Sequence, residues 1–274
     1  MSSTDLTGTT ARVRAAVCPL HADARISSPQ VSQALHGGLL TILEQHDDWR
    51  RVRGADAYEG WAHRGYLADA ADDAAGWSSP RWSLGCTVRV RGGASLALPL
   101  GARVPADATV VQGEAIDEPT RARRFPPTPA AIAATAVEHF AGASYQWGGI
   151  TPWGADCSGF VQTVFRLHGI PMPRDAWQQA LMPDWSPVLE GLAELRAGDL
   201  LFFSDREDGR ITHVGIAVDA ARMVHLALGR GGYAVERFPA DRGAPGRDAG
   251  ADGYVAALLG RFRSAVRPPL PTRG

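Results

Sequence analysis

The sequence is poor in cysteine, in long apolar runs and in excess charge of either sign. Its three cysteines, Cys18, Cys86 and Cys157, lie far apart, which excludes a disulfide framework and a paired-cysteine metal site. No apolar run approaches the roughly 18 residues that a membrane-spanning helix needs. The 28 basic and 29 acidic residues leave a formal net charge of −1. We therefore expect a monomer with neither a nucleic-acid partner nor a membrane partner.

The first ten residues, MSSTDLTGTT, also lack the basic stretch and apolar core of a secretory signal. Unpaired cysteines are typical of a reducing compartment. Together these two features favour a cytoplasmic location.

The chain is longer than a usual single domain, and its patterning changes along its length. Short alternating runs such as GLLTILEQ and WRRVRG predict a small β-barrel over residues 1–70. Similar runs over residues 71–117 predict a second, possibly partial, β domain. Residues 118–127 are rich in proline and read as a linker. Residues 128–274 contain helical patterns first and consecutive strands afterwards, which indicates an α+β domain with an antiparallel sheet.

Helix-capping residues mark two helices in this last region. Thr128 is a predicted N-cap with Pro129 at the first helical position, and Gly142 follows the end of the helix. A second helix is predicted to follow Cys157 and to end at Gly169. The strand-like runs DLLFFS, THVGIAVD, MVHLAL and YAVERF come next.

Cys157 follows the glycine-rich run YQWGGITPWGAD at the predicted start of the second helix. Unpaired backbone N–H groups and the helix dipole favour negative charge there, so we expect a lowered thiol pKa and a nucleophilic thiolate. The alternative is a small buried apolar residue, the interpretation that we give to Cys18 and Cys86 in their strand-like contexts.

A thiol nucleophile needs a base and a group that orients the base, and two of the eight histidines lie inside predicted strands. These are His213 and His225. If residues 219–221 form the hairpin loop, Gly215 pairs with His225, and His213 becomes a diagonal neighbour on the same face. We expect the two imidazoles to meet there, with Gly215 leaving them room.

A zinc site is the rival interpretation, with Asp156, Cys157, His213 and His225 as ligands. No pair among them has the close spacing typical of zinc ligands. The glycine-rich runs GGITPWG and GRGGY do not match phosphate-binding loops either. We therefore expect no metal and no cofactor.

The motifs YQWGG, DCSGFVQ, LRAGDLLFF, THVGIAV and MVHLAL stand in an order that resembles the NlpC-type papain-like cysteine peptidases of bacterial cell-wall metabolism. The resemblance covers about residues 127–262. The N-terminal part, notably WRRVRGADAYEGW, is similar to bacterial SH3-like domains. The resemblance implies an α+β papain-like (NlpC) catalytic domain preceded by one or two small all-β SH3-like barrels.

The same resemblance implies catalytic roles for four residues. Cys157 resembles the family's nucleophile, His213 its general base and His225 the third polar residue that orients the base. Tyr145 resembles the tyrosine that holds the substrate carbonyl near the oxyanion site.

Five further residues resemble the family's substrate-binding set. Asp156 matches the acid that pairs with the substrate's α-ammonium group, and Ser158 lies in the same pocket. Arg174 and Asp175 match an Arg-Asp pair near the site. Tyr58 matches the tyrosine that the first β domain places over the cleft.

The chain departs from the family pattern at two places. Ala176 stands where some relatives have a serine, so any hydrogen bond from that hydroxyl is lost. The first β domain offers Gln30 but no carboxylate for the pocket. We therefore expect amine recognition to depend mainly on Asp156.

The implied subgroup is the γ-D-glutamyl-L-diamino acid endopeptidases. Their expected substrates are murein peptides with a free N-terminal L-Ala, cut between γ-D-Glu and meso-diaminopimelate or L-Lys. A recycling role for such peptides fits the expected cytoplasmic location. Two alternatives stay open: an amidase or acyltransferase on the same Cys/His scaffold, and a non-catalytic binder of peptidoglycan fragments.

Overall fold

The computed structural model describes residues 5–72, 74–89, 93–188, 191–239 and 253–269. The chain divides into two compact units. The first comprises Met1–Arg124 and Trp147–Thr151, and the second comprises Phe125–Gln146 and Pro152–Gly274. Across the described ranges, no helix combines the length and the hydropathy needed to cross a membrane.

The first unit is built almost entirely of strands. Those described are β1 (Thr10–Val13), β2 (Val17–His21), β3 (Gln30–Leu35), β4 (Leu39–His46), β5 (Trp49–Arg53), β6 (Glu59–His63), β7 (Leu67–Asp69), β8 (Arg81–Arg89), β9 (Ser95–Leu98), β10 (Arg103–Val104), β11 (Thr109–Ile116) and β12 (Ile150–Thr151). The α-helix α1 spans Glu118–Arg124.

The first seven strands form one antiparallel sheet in the order β3-β2-β6-β5-β4-β1-β7. Burial alternates along its strands, as in β4, where Leu40 and Ile42 are buried and Leu39 and Thr41 are exposed. This alternation places one face of each strand in a core. The core residues are Ala11, Val13, Cys18, Leu20, Leu40, Ile42, Val52 and Ala62. The all-β fold predicted for the N-terminal part is confirmed.

A second sheet lies in the same unit and is centred on β8, which pairs with β9, β10 and β11. Cys86 and Val88 of β8 pack with Leu98 of β9 and with Leu35 of β3. Because strands from both sheets contribute to this core, residues of the 71–117 region extend the first unit.

The segment 118–127, predicted as a linker, contains a helix, because its first seven residues form α1, and the boundary between the two units follows at Arg124. Pro119 lies in the first turn, where a missing backbone N–H leaves no helical hydrogen bond unmade. The Asp117 carboxylate accepts a 2.8 Å hydrogen bond from the backbone N–H of Thr120, as an N-cap residue does. Pro119 therefore marks the start of a helix and not an irregular segment.

The second unit combines helices with one large sheet. Its described elements are α2 (Pro129–His139), β13 (Gly154–Ala155), α3 (Cys157–Leu167), α4 (Ala176–Gln179), β14 (Ser186–Pro187), β15 (Leu200–Phe203), β16 (His213–Ala217), β17 (Arg222–Ala227), β18 (Gly232–Arg237), α5 (Gly253–Gly260) and β19 (Phe262–Arg267).

Six of these strands form an antiparallel sheet in the order β14-β19-β15-β16-β17-β18. Helix α3 packs against β16, β17 and α2. Helix α5 contributes Val255 and Leu258 to a core with Leu201, Ala217 and Met223 of the sheet. The predicted α+β arrangement is confirmed.

The capping residues set the ends of α2 and α3 as predicted. The Thr128 hydroxyl accepts from the Ala131 N–H at 3.4 Å, and Pro129 opens α2. Gly142 and Gly169, beyond the two helix ends, have φ values of +79° and +77°. Only glycine adopts this left-handed conformation without steric cost. The chain can therefore reverse sharply after each helix.

Candidate active site

Helix α3 carries Cys157 at its first position, where the residue is only 7% exposed. Asp156 is the N-cap, and its Oδ1 accepts from the Gly159 N–H at 2.8 Å. Because α3 packs against β16, the thiol lies within hydrogen-bonding reach of the Val214 backbone N–H. Val214 directly follows His213. The fold therefore brings the nucleophile candidate to the strand that carries the base candidate.

The prediction of a lowered Cys157 pKa is wrong. Burial raises the pKa of the thiol to about 12, and the negative charge of Asp156 acts in the same direction. Hydrogen bonds from the Val214 and Ser158 N–H groups and the charge of Arg174 lower it only in part. Desolvation outweighs the helix terminus here. The resting side chain is therefore a neutral thiol.

The predicted register of the histidine hairpin is confirmed. Ala217 pairs with Met223, so residues 219–221 form the loop. In this register His213 and His225 are diagonal neighbours on one face. His213 Nε2 lies 2.8 Å from His225 Nδ1, and the ring centroids are 5.0 Å apart.

Gly215 makes room for a different side chain from the one expected. A Cβ atom at this position would lie 2.4 Å from Met223 Sδ. Met223 is fully buried in the core beneath α5. The glycine therefore accommodates the core methionine, and the register of the hairpin brings the two histidines together.

Two residues that sequence reasoning missed extend the histidine pair. His225 Nε2 lies 3.3 Å from Glu236 Oε1. Arg230 binds both oxygens of that carboxylate, with Nε 2.7 Å from Oε1 and a terminal nitrogen 2.9 Å from Oε2. In β18, Glu236 lies opposite Met223 of β17, which makes it a diagonal neighbour of His225. The two-residue periodicity that aligned the histidines would have identified Glu236 as well, had it been extended to the next strand, β18.

The pKa values of His213 and Glu236, at the two ends of this chain of side chains, are both lowered. Burial lowers the pKa of His213 to about 3, with further lowering by His225 and Arg261. Burial acts to raise the pKa of Glu236, but hydrogen bonds from His225 and Arg230 bring it down to about 2. At neutral pH His213 is therefore an uncharged imidazole, and Glu236 is a carboxylate.

Asp156 forms a buried ion pair with Arg174. The two Arg174 terminal nitrogens lie 3.0 Å from Asp156 Oδ1 and 2.6 Å from Oδ2. Arg174 is 1% exposed and also donates to Ser158 Oγ at 2.9 Å. The Asp156 charge is thus compensated inside the protein, which gives this carboxylate a structural role beside its predicted contact with an ammonium group.

Asp175 follows Arg174 and caps the short helix α4. Its backbone N–H donates to Gln178 Oε1 at 3.1 Å, and its Oδ2 accepts from Trp177 Nε1 at 3.3 Å. The side chain is half-buried and forms no ion pair within the described part of the chain. The next residue, Ala176, is buried. Of the two acidic candidates, Asp175 is therefore the one whose carboxylate is not held by Arg174.

Tyr145 lies in the loop before Cys157 and is half-buried. A β-bridge joins it to Ala155, and its backbone N–H donates to the Gly231 carbonyl at 2.9 Å. Burial, together with the charges of Cys157 and Asp156, raises the pKa of its hydroxyl above the ordinary value. Tyr145 is therefore protonated at neutral pH and available as a hydrogen-bond donor near Cys157.

The first unit carries the other two residues considered from the sequence. Tyr58 is half-buried in the turn between β5 and β6, where its N–H donates to Asp56 Oδ1 at 3.1 Å. Gln30 donates to the Trp147 carbonyl at 3.0 Å within the same unit. The substrate-binding role of Tyr58 stays a prediction.

The predicted rival, a zinc site, has no counterpart in the described ranges. No group of three or more His, Cys, Asp and Glu side chains is gathered there in a way that could hold a metal ion. Arg174 occupies the carboxylate that the zinc interpretation required from Asp156.

Comparison with known proteins gives two matching families. Residues 142–238 match the NlpC/P60 family, and residues 20–67 match the bacterial dipeptidyl-peptidase SH3 domain. The first match includes Tyr145, Cys157, His213 and His225.

Two curated relatives are γ-D-glutamyl-L-lysine dipeptidyl-peptidases from Bacillus species. The Bacillus subtilis protein is 45% identical over 87 residues, which cover 31% of this chain and 28% of that protein. The Bacillus cereus protein is 37% identical over 101 residues, which cover 36% of this chain and 29% of that protein. The chain thus spans less than a third of the length of these two relatives.

A solved NlpC/P60 family protein from Bacillus cereus shares the fold. The two structures superpose with a TM-score of 0.73 at 19% identity, covering 96% of this chain and 100% of the other. At this identity the likeness concerns the fold.

Proposed function

We propose that this chain, whose residues 142–238 form an NlpC/P60 domain and whose residues 20–67 form a bacterial dipeptidyl-peptidase SH3 domain, is a cysteine peptidase. Its proposed reaction is hydrolysis of the bond between γ-D-Glu and a diamino acid, meso-diaminopimelate or L-Lys, in murein peptides. The names of the two Bacillus relatives support this substrate class.

One observation carries the proposal: the thiol of Cys157 reaches the start of β16, where His213 is hydrogen-bonded to His225 at 2.8 Å. Nucleophile, base and orienting group are the three parts that thiol catalysis needs. Since Nε2 of His213 faces His225, Nδ1 is the ring nitrogen left to exchange a proton with the thiol.

The proposed reaction begins from an uncharged pair, because the Cys157 thiol and the His213 imidazole are both neutral at rest. Cys157 Sγ attacks the γ-carbonyl carbon while its proton passes to His213 Nδ1. The C–N bond then breaks, and His213 returns the proton to the leaving amine. Water, activated by His213, hydrolyses the thioester and restores the thiol. The protonated Tyr145 hydroxyl donates to the carbonyl oxygen as it gains charge.

The proposed substrate carries a free N-terminal L-Ala, whose ammonium group requires a carboxylate partner. Arg174 already compensates Asp156 in a buried ion pair, whereas Asp175 is half-buried and forms no ion pair within the described residues. We expect ammonium binding to depend on Asp175 more than on Asp156. Ser158 supports Arg174 from the same cluster.

Recycling of cytoplasmic murein peptides is the proposed setting. The three cysteines are free and buried, which is compatible with a reducing compartment. Cell fractionation of the producing organism, with an antibody against this chain, tests the location. Recovery in the extracellular fraction would contradict it.

The central test compares L-Ala-γ-D-Glu-diaminopimelate and L-Ala-γ-D-Glu-L-Lys with their N-acetylated forms. Mass spectrometry should detect L-Ala-γ-D-Glu from the free peptides, little product from the acetylated ones, and none with Cys157→Ala. Equal cleavage of free and acetylated peptides would contradict the proposal that the enzyme recognises the free amine. Absence of product from all four peptides would contradict the proposed peptidase activity.

A second comparison separates the two carboxylates. Asp175→Asn should raise KM for the free peptide while leaving the slow cleavage of the acetylated peptide unchanged. An unchanged KM for Asp175→Asn would return the anchoring role to Asp156.

A further inference from the structure

A continuous chain of side chains leads away from the base through three adjacent strands of the sheet. His213 on β16 contacts His225 on β17, and His225 contacts Glu236 on β18. Arg230 binds the far side of Glu236 through two hydrogen bonds, and its guanidinium lies 4.2 Å from the centre of the Tyr254 ring. His225 is fully buried, and Glu236 is buried as well. The geometry is therefore fixed by protein atoms rather than by solvent.

Glu236 determines which nitrogen of each histidine carries a hydrogen. With its pKa lowered to about 2, Glu236 is a carboxylate at neutral pH and can only accept hydrogen bonds. The facing nitrogen, His225 Nε2, must therefore carry a hydrogen. With the hydrogen on Nε2, Nδ1 is the His225 ring nitrogen that accepts from His213 Nε2–H. The lone pair of His213 consequently lies on Nδ1, the nitrogen left to accept the thiol proton.

We propose that Glu236 is a positioning residue that sets the tautomers of both histidines, with Arg230 keeping its carboxylate ionised and aligned. This inference rests on the proposed peptidase function, because it concerns the nitrogen that receives the Cys157 proton. Glu236 also faces the charge that develops when His213 becomes protonated, and a carboxylate stabilises an imidazolium through an intervening imidazole.

Glu236→Gln removes this control with little change in shape. Gln has one oxygen for two positions: that of Oε1, which faces both Arg230 Nε and His225 Nε2, and that of Oε2, which faces Arg230 alone. The amide NH2 opposes an Arg230 donor in either orientation, and in the orientation that places it at the Oε1 position it faces His225 Nε2. A donor at that place favours an unprotonated Nε2 and a hydrogen on Nδ1 of His225. His225 then donates to His213 Nε2, and the His213 hydrogen moves to Nδ1. The base loses its lone pair where the thiol proton has to go.

A matched control exists elsewhere in the second unit. Asp199 is 1% exposed and binds Arg267 through two hydrogen bonds, of 2.9 and 2.8 Å. This pair repeats the charge, burial and bidentate geometry of Glu236 with Arg230. The further partner of the Asp199 carboxylate is the Arg196 N–H, so this cluster is separate from His213 and His225. Asp199→Asn therefore reports the cost of breaking such a pair without touching the histidines.

The decisive measurement is nitrogen-15 NMR of the imidazole rings in the full-length chain at pH 7. In the unaltered protein, His213 and His225 should both show a protonated Nε2 and an unprotonated Nδ1. Asp199→Asn should retain this pattern, while Glu236→Gln should shift His213 towards the Nδ1-protonated form. The spectrum of the unaltered protein is itself a test, since a protonated His213 Nδ1 would overturn the proposal without any variant.

Kinetics supply the second measurement. Glu236→Gln should lower kcat on the order of 100-fold, the contribution of a correctly protonated general base, with KM nearly unchanged. Glu236→Asp, which retains the charge, should recover part of the loss, and Asp199→Asn should leave kcat unaltered. Equal loss of kcat in Glu236→Gln and Asp199→Asn would assign Glu236 a structural role only and contradict the proposal.

The two proposals fail in different ways. The tautomer spectrum requires no turnover, so an unaltered protein without peptidase activity would overturn the proposed function and leave the spectrum to decide the role of Glu236. Peptidase activity combined with unchanged tautomers in a folded Glu236→Gln variant would overturn only the inference about Glu236.

Discussion

At the scale of single residues, burial decides the chemistry of the site. A helix N-terminus, two backbone N–H groups and an arginine all favour the thiolate form of Cys157, yet burial raises the pKa of its thiol to about 12. The pKa of His213 is shifted in the opposite direction, down to about 3. Both shifts disfavour charge, so the pair rests as thiol and imidazole rather than as an ion pair.

The reactivity of Cys157 should follow from this protonation state. Because the thiolate is the reactive form, alkylation by iodoacetamide should be slow at pH 7 and increase steadily towards pH 10. Peptide mapping by mass spectrometry would follow Cys157 separately, and Cys157→Ala provides the blank. A rate that levels off between pH 5 and 7 would indicate a preformed thiolate and contradict the neutral resting state.

Asp156 and Asp175 should differ sharply in their contribution to stability. Asp156→Asn removes the charge that compensates Arg174, and leaving one partner of a buried pair alone costs about 3–5 kcal/mol. Asp175→Asn, at a half-buried position, should change the free energy of unfolding by roughly 0.5 kcal/mol or less. Urea unfolding of both variants at pH 7 measures the difference. Equal losses would mean that the ion pair adds nothing beyond its side-chain volume.

The residues of the site differ in how far sequence patterns reveal them. The meeting of His213 and His225 follows from two-residue periodicity and a three-residue loop. Glu236 obeys the same periodicity, but finding it requires the register of a second hairpin, whose turn ends at Gly231 directly before β18. The ion pair of Arg174 with Asp156 joins positions 18 residues apart on either side of α3, and no single periodicity relates them.

At the scale of elements, the β16–β17 hairpin is held in register by packing as well as by hydrogen bonds. Gly215→Ala would place a Cβ atom 2.4 Å from Met223 Sδ, in a core where Met223 is fully buried. Overpacking of this kind costs about 1–3 kcal/mol. Chemical denaturation of the full-length protein should show that loss together with a lower kcat, because the displaced strand carries His213.

A double-mutant cycle tests the cause of that loss. Met223→Ala alone should destabilise the protein by creating a cavity. In that background Gly215→Ala should cost much less than in the unaltered protein, giving a coupling energy within the range of about 0.5–3 kcal/mol seen for contacting residues. Simple additivity of the two substitutions would show that Gly215 serves a backbone requirement instead.

Elements with clear caps were predictable, and α1 was not. Thr128, Pro129 and Gly142 bracket α2 because each satisfies a distinct requirement at a helix end. In α1 the same chemistry is present in Asp117 and Pro119, but only seven residues follow, too few for an apolar stripe to form. A short helix without such a stripe cannot be told from a linker by composition.

At the scale of the whole molecule, the two units follow from two kinds of periodicity. Alternation with a period of two builds the first unit, and helical spacing followed by strands builds the second. The division itself was harder to predict, because Trp147–Thr151 groups with the first unit although it lies between segments of the second. Grouping of this kind arises from long-range contacts and leaves no local signature.

The state of association is the last property that these patterns predict. Among the described residues, exposed large apolar side chains such as Leu39 on β4, Val111 on β11 and Leu181 after α4 belong to separate elements, while Trp147 and Trp153 are exposed in the segment before Cys157. Singly exposed apolar residues are normal on monomers, and the near-zero net charge adds no strong repulsion or attraction. Light scattering after size exclusion should therefore give one species with a mass of 29.1 kDa at micromolar concentration. A mass near twice that value, persisting on dilution, would contradict the expected monomer and require an apolar patch shared between copies.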